Sequence, residues 1–323
     1  MTFKGRSGQT NRLNNVLAML AAAMVLGPGF ANGDDSLVSL GAGGLQLLTS
    51  DDIVLEQQDL SISPGLVQVR FRFLNQGPAA VESLVAFVQP DLTPEDYARR
   101  FEGLPGPEGD DIVSFRASSG GRPIQVIQDM RGVIGDGTDI TDRLARAGAD
   151  ANFFRIAPGT TERLKAAGLM DENGIPAWTM RMRLYWRQVF PVGEPVIIEH
   201  SYVPLTGAVS LLRPLITGFG EHPGLAREYC MTERDVSGAL RLVDAAANRG
   251  QDVLARFVDY RLTTGANWKG PIGRLTITID TGSPGRMLAT CFPGLRASGP
   301  GTYSVTIKDI EPDEDIALMI IEP

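Results

Sequence analysis

The chain is short of the side chains that supply nucleophiles and general bases in enzymes. It has only two histidines and two cysteines in 323 residues. The nucleophile elbow Gly-x-Ser-x-Gly is absent. No glycine loop followed by Lys and Ser or Thr is present to cradle a phosphate. Neither His200 nor His222 is tied by any motif to a serine, so we expect no catalytic residue of the serine-hydrolase type.

Side chains that could bind a metal are equally scarce. Zinc needs three or four His, Cys or carboxylate ligands, and the chain has few histidines and cysteines. Asp136, Asp139 and Asp142 lie in a glycine-rich stretch but lack the EF-hand spacing and its bidentate Glu. Asp139 is better explained as a helix cap. A second acidic group is typical of a solvated turn and contains Glu311, Asp313, Glu314 and Asp315. We therefore expect no metal and no cofactor.

Paired carboxylates for glycoside hydrolysis remain an open alternative, since such partners can be distant in sequence. Asp51 and Asp52 are adjacent, and adjacent residues of a strand point to opposite faces. That pair is better explained as a turn.

Long apolar runs are also missing. The N-terminal run Val16 to Leu26 has 11 residues, whereas a membrane-spanning helix needs about 20. Three basic residues precede it, and small residues Gly29 and Ala31 follow before Asn32. This pattern predicts a signal peptide over residues 1–31, cleaved between Ala31 and Asn32, with an uncleaved anchor as the alternative. The mature chain is then expected in the periplasm or outside the cell, with no membrane-spanning segment.

The chain has fewer basic than acidic residues. The formal net charge is −8, and removal of the three basic residues in 1–31 makes it −11. No basic patch stands out, so nucleic acid is not an expected partner. The expected partner is an envelope protein or a ligand that the sequence does not identify.

The two cysteines predict one disulfide, Cys230 to Cys291, because an exported chain passes through an oxidising compartment. Closing this loop of about 60 residues would contribute on the order of 4 kcal/mol. A catalytic thiol is the alternative, and it would need one of the two histidines as its base.

Most of the chain has the two-residue period of half-buried strands. In Leu66 to Leu74, apolar residues alternate with Gln68, Arg70 and Arg72, and Val81 to Val88 is interpreted as its hairpin partner. A second long hairpin is predicted from Trp178 to Trp186 and Val196 to Val203. In the strand Arg274 to Asp280, Thr276 and Thr278 face away from the apolar residues.

Helical patterns are few. A helical insertion is predicted at about 138–169, and one later helix at about 232–248 begins after the N-cap Thr232. We therefore expect a mainly β fold with one or two antiparallel β-sandwich domains and a short helical insertion. The predicted division is an N-terminal β-sandwich domain at 32–205 and a C-terminal β-rich domain at 206–323.

The loop Thr264 to Gly273 holds three glycines, a proline and a tryptophan between two strands. Asn267, Trp268 and Lys269 are the candidate site residues, because loops on rigid sandwiches often carry function. The structural alternative is that Trp268 fills the core while the glycines let the backbone fold under it.

The run from Tyr260 to Gly273, followed by Asp280-Thr-Gly-Ser-Pro284 and Cys291, resembles a bacterial family, the domain of unknown function 4424. Further similarity lies at Gly43-Gly44-Leu45, at Tyr185-Trp186 and at His200-Ser201-Tyr202. The resemblance covers nearly all of the mature chain. It implies an exported β-rich protein and implies no activity.

The sequence thus favours an exported, soluble, non-enzymatic protein that binds a ligand or takes part in an envelope assembly. The alternative is a hydrolase that acts on envelope polymers through dispersed carboxylates.

Overall fold

A computed structural model describes residues 35–41, 44–88, 91–94, 113–204, 206–220 and 223–323, with side chains described from residue 49 onward. The predicted signal peptide and His222 lie outside these ranges.

The described residues form a mainly β fold with short helices, as the sequence predicts. The strands are β1 Asp35–Gly41, β2 Gly44–Leu48, β3 Ile53–Ile62, β4 Val67–Asn75, β5 Val81–Val88, β6 Arg116–Ser119, β7 Arg122–Pro123, β8 Ile127–Val133, β9 Thr179–Phe190, β10 Pro195–Tyr202, β11 Gly207–Ser210, β12 Leu254–Tyr260, β13 Ile272–Asp280, β14 Met287–Ala289, β15 Arg296–Gly299, β16 Thr302–Ile310 and β17 Ile316–Glu322. The α-helices are α1 Thr141–Ala147, α2 Thr161–Ala166, α3 Arg213–Thr217, α4 Leu225–Glu228 and α5 Glu233–Ala247.

The strands form three sheets. An eight-stranded sheet has the order β15-β16-β13-β3-β4-β10-β6-β7, and a five-stranded sheet has the order β2-β1-β5-β9-β8. The third sheet has four strands in the order β11-β12-β17-β14. The pairing of β13 with β3 is parallel, and the other strand pairs that the structure describes within these sheets are antiparallel.

Both predicted hairpins are wrong, because their strands belong to different sheets. β4 pairs with β3 and β10, whereas β5 pairs with β1 and β9. The connections cross from one sheet to the other, and Asn75 links them: its Nδ2 donates to the carbonyls of Ala79 (2.9 Å) and Phe190 (2.8 Å). Strands of two facing sheets both point apolar side chains into one core, so their alternation cannot reveal which strands pair.

The three sheets share one buried apolar cluster, and the central strands β12 and β17 of the four-stranded sheet contribute buried residues to clusters on both faces. In β17, Ile316, Leu318 and Ile320 pack in this shared core, whereas Met319 and Ile321 belong to a second cluster that includes residues of α5. A strand covered on both sides needs a nearly continuous apolar run, which is what β17 has.

The eight-stranded sheet takes β13, β15 and β16 from the C-terminal part of the chain and its other strands from the N-terminal part. The predicted division at residue 205 stays a prediction, and the two parts share hydrogen bonds through β3 and β13. Thr232 begins α5 with a capping box: its hydroxyl accepts from the Asp235 N–H, and its own N–H donates to the Asp235 carboxylate. Among the described residues, no helix has the length and apolar character to cross a membrane.

Candidate functional site

The loop that carries the three candidate residues lies against the start of β3. Its 3-10 helix spans Thr263–Asn267, and the N–H groups of Leu262 and Thr263 both donate to the Asp315 carboxylate at 2.9 Å. The backbone of Asn267 accepts a bond from Ser50, and that of Lys269 donates to Ile53, each at 2.8 Å. These bonds hold the loop on both sides of Trp268.

Trp268 points into the core and is 3% exposed. Its ring centroid lies 4.4 Å from that of Phe73 and 6.0 Å from that of Phe190. Lys269 is exposed and Asn267 is half-buried. The three candidate residues therefore do not share a surface, and Trp268 is placed where it packs the interior rather than where it could meet a ligand.

The last glycine of this loop, Gly273, lies in β13 and lets β13 approach β3 closely. A Cβ on Gly273 would lie 2.8 Å from the carbonyl oxygen of Glu56, at a β-bulge between Leu55 and Gln57. A contact that short with backbone is sterically forbidden, so any larger residue would push the two strands apart. Gly273 thus supports the parallel pairing of β13 with β3.

Two of the acidic residues considered as calcium ligands accept hydrogen bonds from the local backbone. Asp136 accepts a hydrogen bond from the Thr138 N–H (2.9 Å), and Asp139 accepts from the Thr141 N–H (2.8 Å). Burial raises the pKa of Asp139, but hydrogen bonds from Thr141 and Arg131 outweigh burial and hold it below its ordinary value. Within the ranges that the structure describes, no group of three or more His, Cys, Asp or Glu side chains could hold a metal ion.

Cys230 and Cys291 form a disulfide with their Cα atoms 5.0 Å apart. His200 is buried, with its ring centroid 5.5 Å from Phe71, 5.0 Å from Phe87 and 5.3 Å from Phe115. A histidine enclosed by aromatic rings is a packing residue. Asp51 is exposed and follows Ser50, whose hydroxyl accepts from the N–H groups of Asp52 and Ile53.

A groove of about 690 Å³ lies on the outward face of the eight-stranded sheet. Its floor is two rows of polar side chains that follow the cross-strand register. In the first polar row, neighbouring strands place side by side Thr276, Asp59, Arg70, Glu199 and Ser118, and Pro123 on β7 ends the row. In the second polar row they place side by side Thr278, Ser61, Gln68, Ser201 and Arg116.

Sheet geometry sets the dimensions of this groove. Strands lie about 4.8 Å apart, so the five steps from β13 to β7 extend about 24 Å. The two polar rows are two residues apart along each strand, which is about 7 Å. The groove is therefore elongated across the strands and narrow along them.

Charges of both signs lie in the groove. Arg70 Nε and Glu199 Oε1 are 3.1 Å apart, with side chains 45% and 47% exposed. Asp59 accepts a hydrogen bond from the Gln57 side-chain amide, and Arg116 donates from Nη1 to the Phe115 carbonyl at 2.9 Å. The described residues that line the groove include no Phe, Tyr or Trp. This floor can donate and accept hydrogen bonds and can meet charge of either sign.

The groove brings two carboxylates to one face, as the hydrolase alternative requires, and one strand lies between them. Asp59 is on β3 and Glu199 on β10, with β4 between them, so their Cα atoms are about 10 Å apart. Arg70 lies between them and pairs with Glu199. One of the two carboxylates is therefore held in an ion pair.

The residues of the groove were not among the sequence-based candidates. The alternation of β4 and of β13 marks Gln68, Arg70, Thr276 and Thr278 as outward-facing. Their alignment depends on which strands pair, and the sequence does not reveal the neighbours of β3.

Among solved structures, the chain is similar to a crystal structure titled a "putative nutrient binding protein" from Legionella pneumophila. Identity is 16%, coverage is 90% of this chain and 71% of that chain, and the TM-score is 0.47. It is also similar to two mutant structures of an M1 zinc metallopeptidase from Deinococcus radiodurans, at 10% and 12% identity and TM-scores of 0.29 and 0.28. The chain covers 46% of those chains, and they cover 88% of it. At these TM-scores the likenesses carry no argument about function.

No curated protein matches the chain. One family model, described as a domain of unknown function (DUF4424), matches residues 33–319. This range includes every described strand of the three sheets except the end of β17. The chain belongs to this family of unknown function, as the resemblance of its sequence motifs predicts.

Proposed function

We propose that this chain is an exported binding protein that holds a polar ligand in the groove of its eight-stranded sheet without converting it. The observation that carries the proposal is the pair of polar rows, which continue in register across neighbouring strands. Both rows line one cavity. A volume of about 690 Å³ lies within the usual 300–1,000 Å³ of small-molecule sites.

Export is supported by two independent features. The N-terminal 31 residues have the basic, apolar and small-residue order of a signal peptide, with cleavage expected between Ala31 and Asn32. The disulfide between Cys230 and Cys291 suits an oxidising compartment. The expected location is the periplasm or the extracellular space.

Binding is favoured over hydrolysis because one of the two carboxylates in the groove is held in an ion pair. A general acid and a general base must both reach the reacting bond. Here Arg70 stands between Asp59 and Glu199 and neutralises one of them. A binding site has no such requirement, and an ion pair in its floor offers both a donor and an acceptor.

The test is native mass spectrometry of the protein purified from an exported fraction, with its own N-terminus. We expect a bound small molecule on the wild type and its absence from the double variant Arg70→Ala/Glu199→Ala. A matched control is Arg213→Ala/Asp244→Ala, which removes another exposed ion pair, at 2.6 Å, between α3 and α5. N-terminal sequencing of the same sample should begin at Asn32.

Retention of the molecule by the groove variant would contradict the proposed site. Conversion of the molecule by the wild type, but not by the groove variant, would favour the hydrolase alternative. A wild type that carries nothing and binds nothing from an envelope extract would contradict the binding function itself.

A further inference from the structure

Every charged side chain of the two polar rows has a partner within the protein. Arg70 Nε lies 3.1 Å from Glu199 Oε1. Asp59 accepts from a side-chain amide on its own strand, and Arg116 donates to the backbone carbonyl of the residue before it. The formal charges of these two arginines and two carboxylates cancel. A charged ligand would therefore have to displace an existing partner before it could form an ion pair here.

The uncharged side chains of the rows suit a ligand that is rich in hydroxyl groups. Gln68 contributes an amide, and the other polar members carry hydroxyls: Ser61, Ser118, Ser201, Thr276 and Thr278. Hydroxyl and amide groups can both donate and accept hydrogen bonds. A ligand hydroxyl has the same double capacity, so it can find a partner at any position along this floor.

We propose, building on the proposed binding function, that the ligand is a short uncharged oligosaccharide that lies extended across the strands. The strands are about 4.8 Å apart, which is close to the length of one sugar residue in an extended β-1,4-linked chain. Successive sugar residues then meet successive strands, and the five strand steps leave room for about four or five of them. The contact is made by hydroxyl groups, since the described lining residues include no Phe, Tyr or Trp for ring stacking.

The ion pair near the middle of the first polar row is the expected anchor for this ligand. The side chains of Arg70 and Glu199 are 45% and 47% exposed. Their mutual bond uses one guanidinium nitrogen and one carboxylate oxygen. A guanidinium has five N–H donors and a carboxylate has two oxygens, so each group can still meet a ligand hydroxyl. Hydrogen bonds to charged groups are stronger than those between neutral groups, and they form with an uncharged ligand without breaking the pair.

Isothermal titration calorimetry of residues 32–323 tests this assignment with four tetrasaccharides. Cellotetraose and chitotetraose are extended and uncharged, maltotetraose is curved, and the β-1,4-linked tetraglucuronate is extended and anionic. We expect at least one of the two extended uncharged probes to bind, with tetraglucuronate and maltotetraose weaker by about tenfold or more. The affinity for the uncharged probe should be the same at low and high salt, because the ligand has no charge to screen.

A pair of serine variants tests the hydroxyl contacts. Ser61→Ala/Ser201→Ala removes two hydroxyls from the second polar row and should weaken binding by about tenfold, as expected for the loss of two neutral hydrogen bonds. Ser83→Ala/Ser210→Ala, on β5 and β11 of the other two sheets, is the matched control and should leave the affinity unchanged. Unfolding midpoints equal to that of the wild type exclude loss of fold as the cause.

Several results would contradict the assignment. Tetraglucuronate that binds as tightly as the uncharged probes, or no binding of either extended uncharged probe at millimolar concentration, would overturn it. Maltotetraose of equal affinity would overturn the extended conformation. Binding of tetraglucuronate alone, lost in Arg70→Ala/Glu199→Ala, would overturn the uncharged ligand and leave the binding function intact. Binding of an uncharged probe that this double variant leaves unchanged would overturn both.

Discussion

Trp268→Ala removes an indole that joins the loop before β13 to the shared core. The side chain is 3% exposed and packs against Phe73 and Phe190. Large aromatic residues truncated in a core cost about 3–5 kcal/mol, and the cavity left here is lined by rings that cannot readily collapse into it. We therefore expect the free energy of unfolding to fall by about 3 kcal/mol or more.

Urea unfolding of residues 32–323 measures this change, with an unaltered m-value as evidence that the unfolding reaction is the same. Lys269→Ala is the matched control: its side chain is exposed and should cost within about 0.5 kcal/mol. Trp268→Phe should cost clearly less than Trp268→Ala, because Trp268 Nε1 has no hydrogen-bond partner among the described residues. A loss below about 1 kcal/mol for Trp268→Ala would refute the core role and restore the loop as a ligand platform.

Three further predictions concern the strand pairing, pH dependence and the two parts of the chain. Gly273→Ala should lower the free energy of unfolding by about 1–3 kcal/mol through its clash with Glu56, whereas Gly285→Ala, with nothing within 4 Å, should have little effect in the same urea titration. Hydrogen bonds from Arg213 lower the pKa of Asp244 in the folded protein. The ion pair therefore stabilises the fold at pH values above the ordinary aspartate pKa, and this stabilisation is lost as the pH falls through the lowered pKa of the folded state. Unfolding midpoints of wild type and Asp244→Asn should therefore differ near neutral pH and converge in acid; a constant difference would be inconsistent with this. The fragment 206–323 alone should show no cooperative thermal transition by circular dichroism, because β13 loses its partner β3; a sharp transition would make 206–323 an independent domain.

The local sequence pattern predicts many of the strands, because the alternation of apolar and polar residues indicates which side chains are buried. In β4 the residues from Val67 to Asn75 are buried at every second position, as the sequence indicates for its apolar residues. The capping box at Thr232 is equally local, since its two partners are three residues apart. Neither kind of signal extends beyond one element.

The local pattern does not predict which strands pair with each other. β4 and β5 have compatible alternation and a turn between them, yet they lie in different sheets. The interaction that opposes the hairpin is distant in sequence. Asn75 donates a hydrogen bond to the carbonyl of Phe190, 115 residues away, and so connects the two segments that cross between the sheets. The groove was missed for the same reason, because its rows draw side chains from β13, β3, β4, β10 and β6.

The loop Thr264 to Gly273 thus affects the groove without lining it. Trp268 and the backbone bonds to Ser50 and Ile53 hold the end of the loop beside the start of β3. Gly273 then allows the parallel register that places Thr276 beside Asp59 and Thr278 beside Ser61. A shift of one residue would turn both threonines away from the groove. The loop therefore supports the alignment of the polar rows, and the proposed binding would depend on residues that do not touch the ligand.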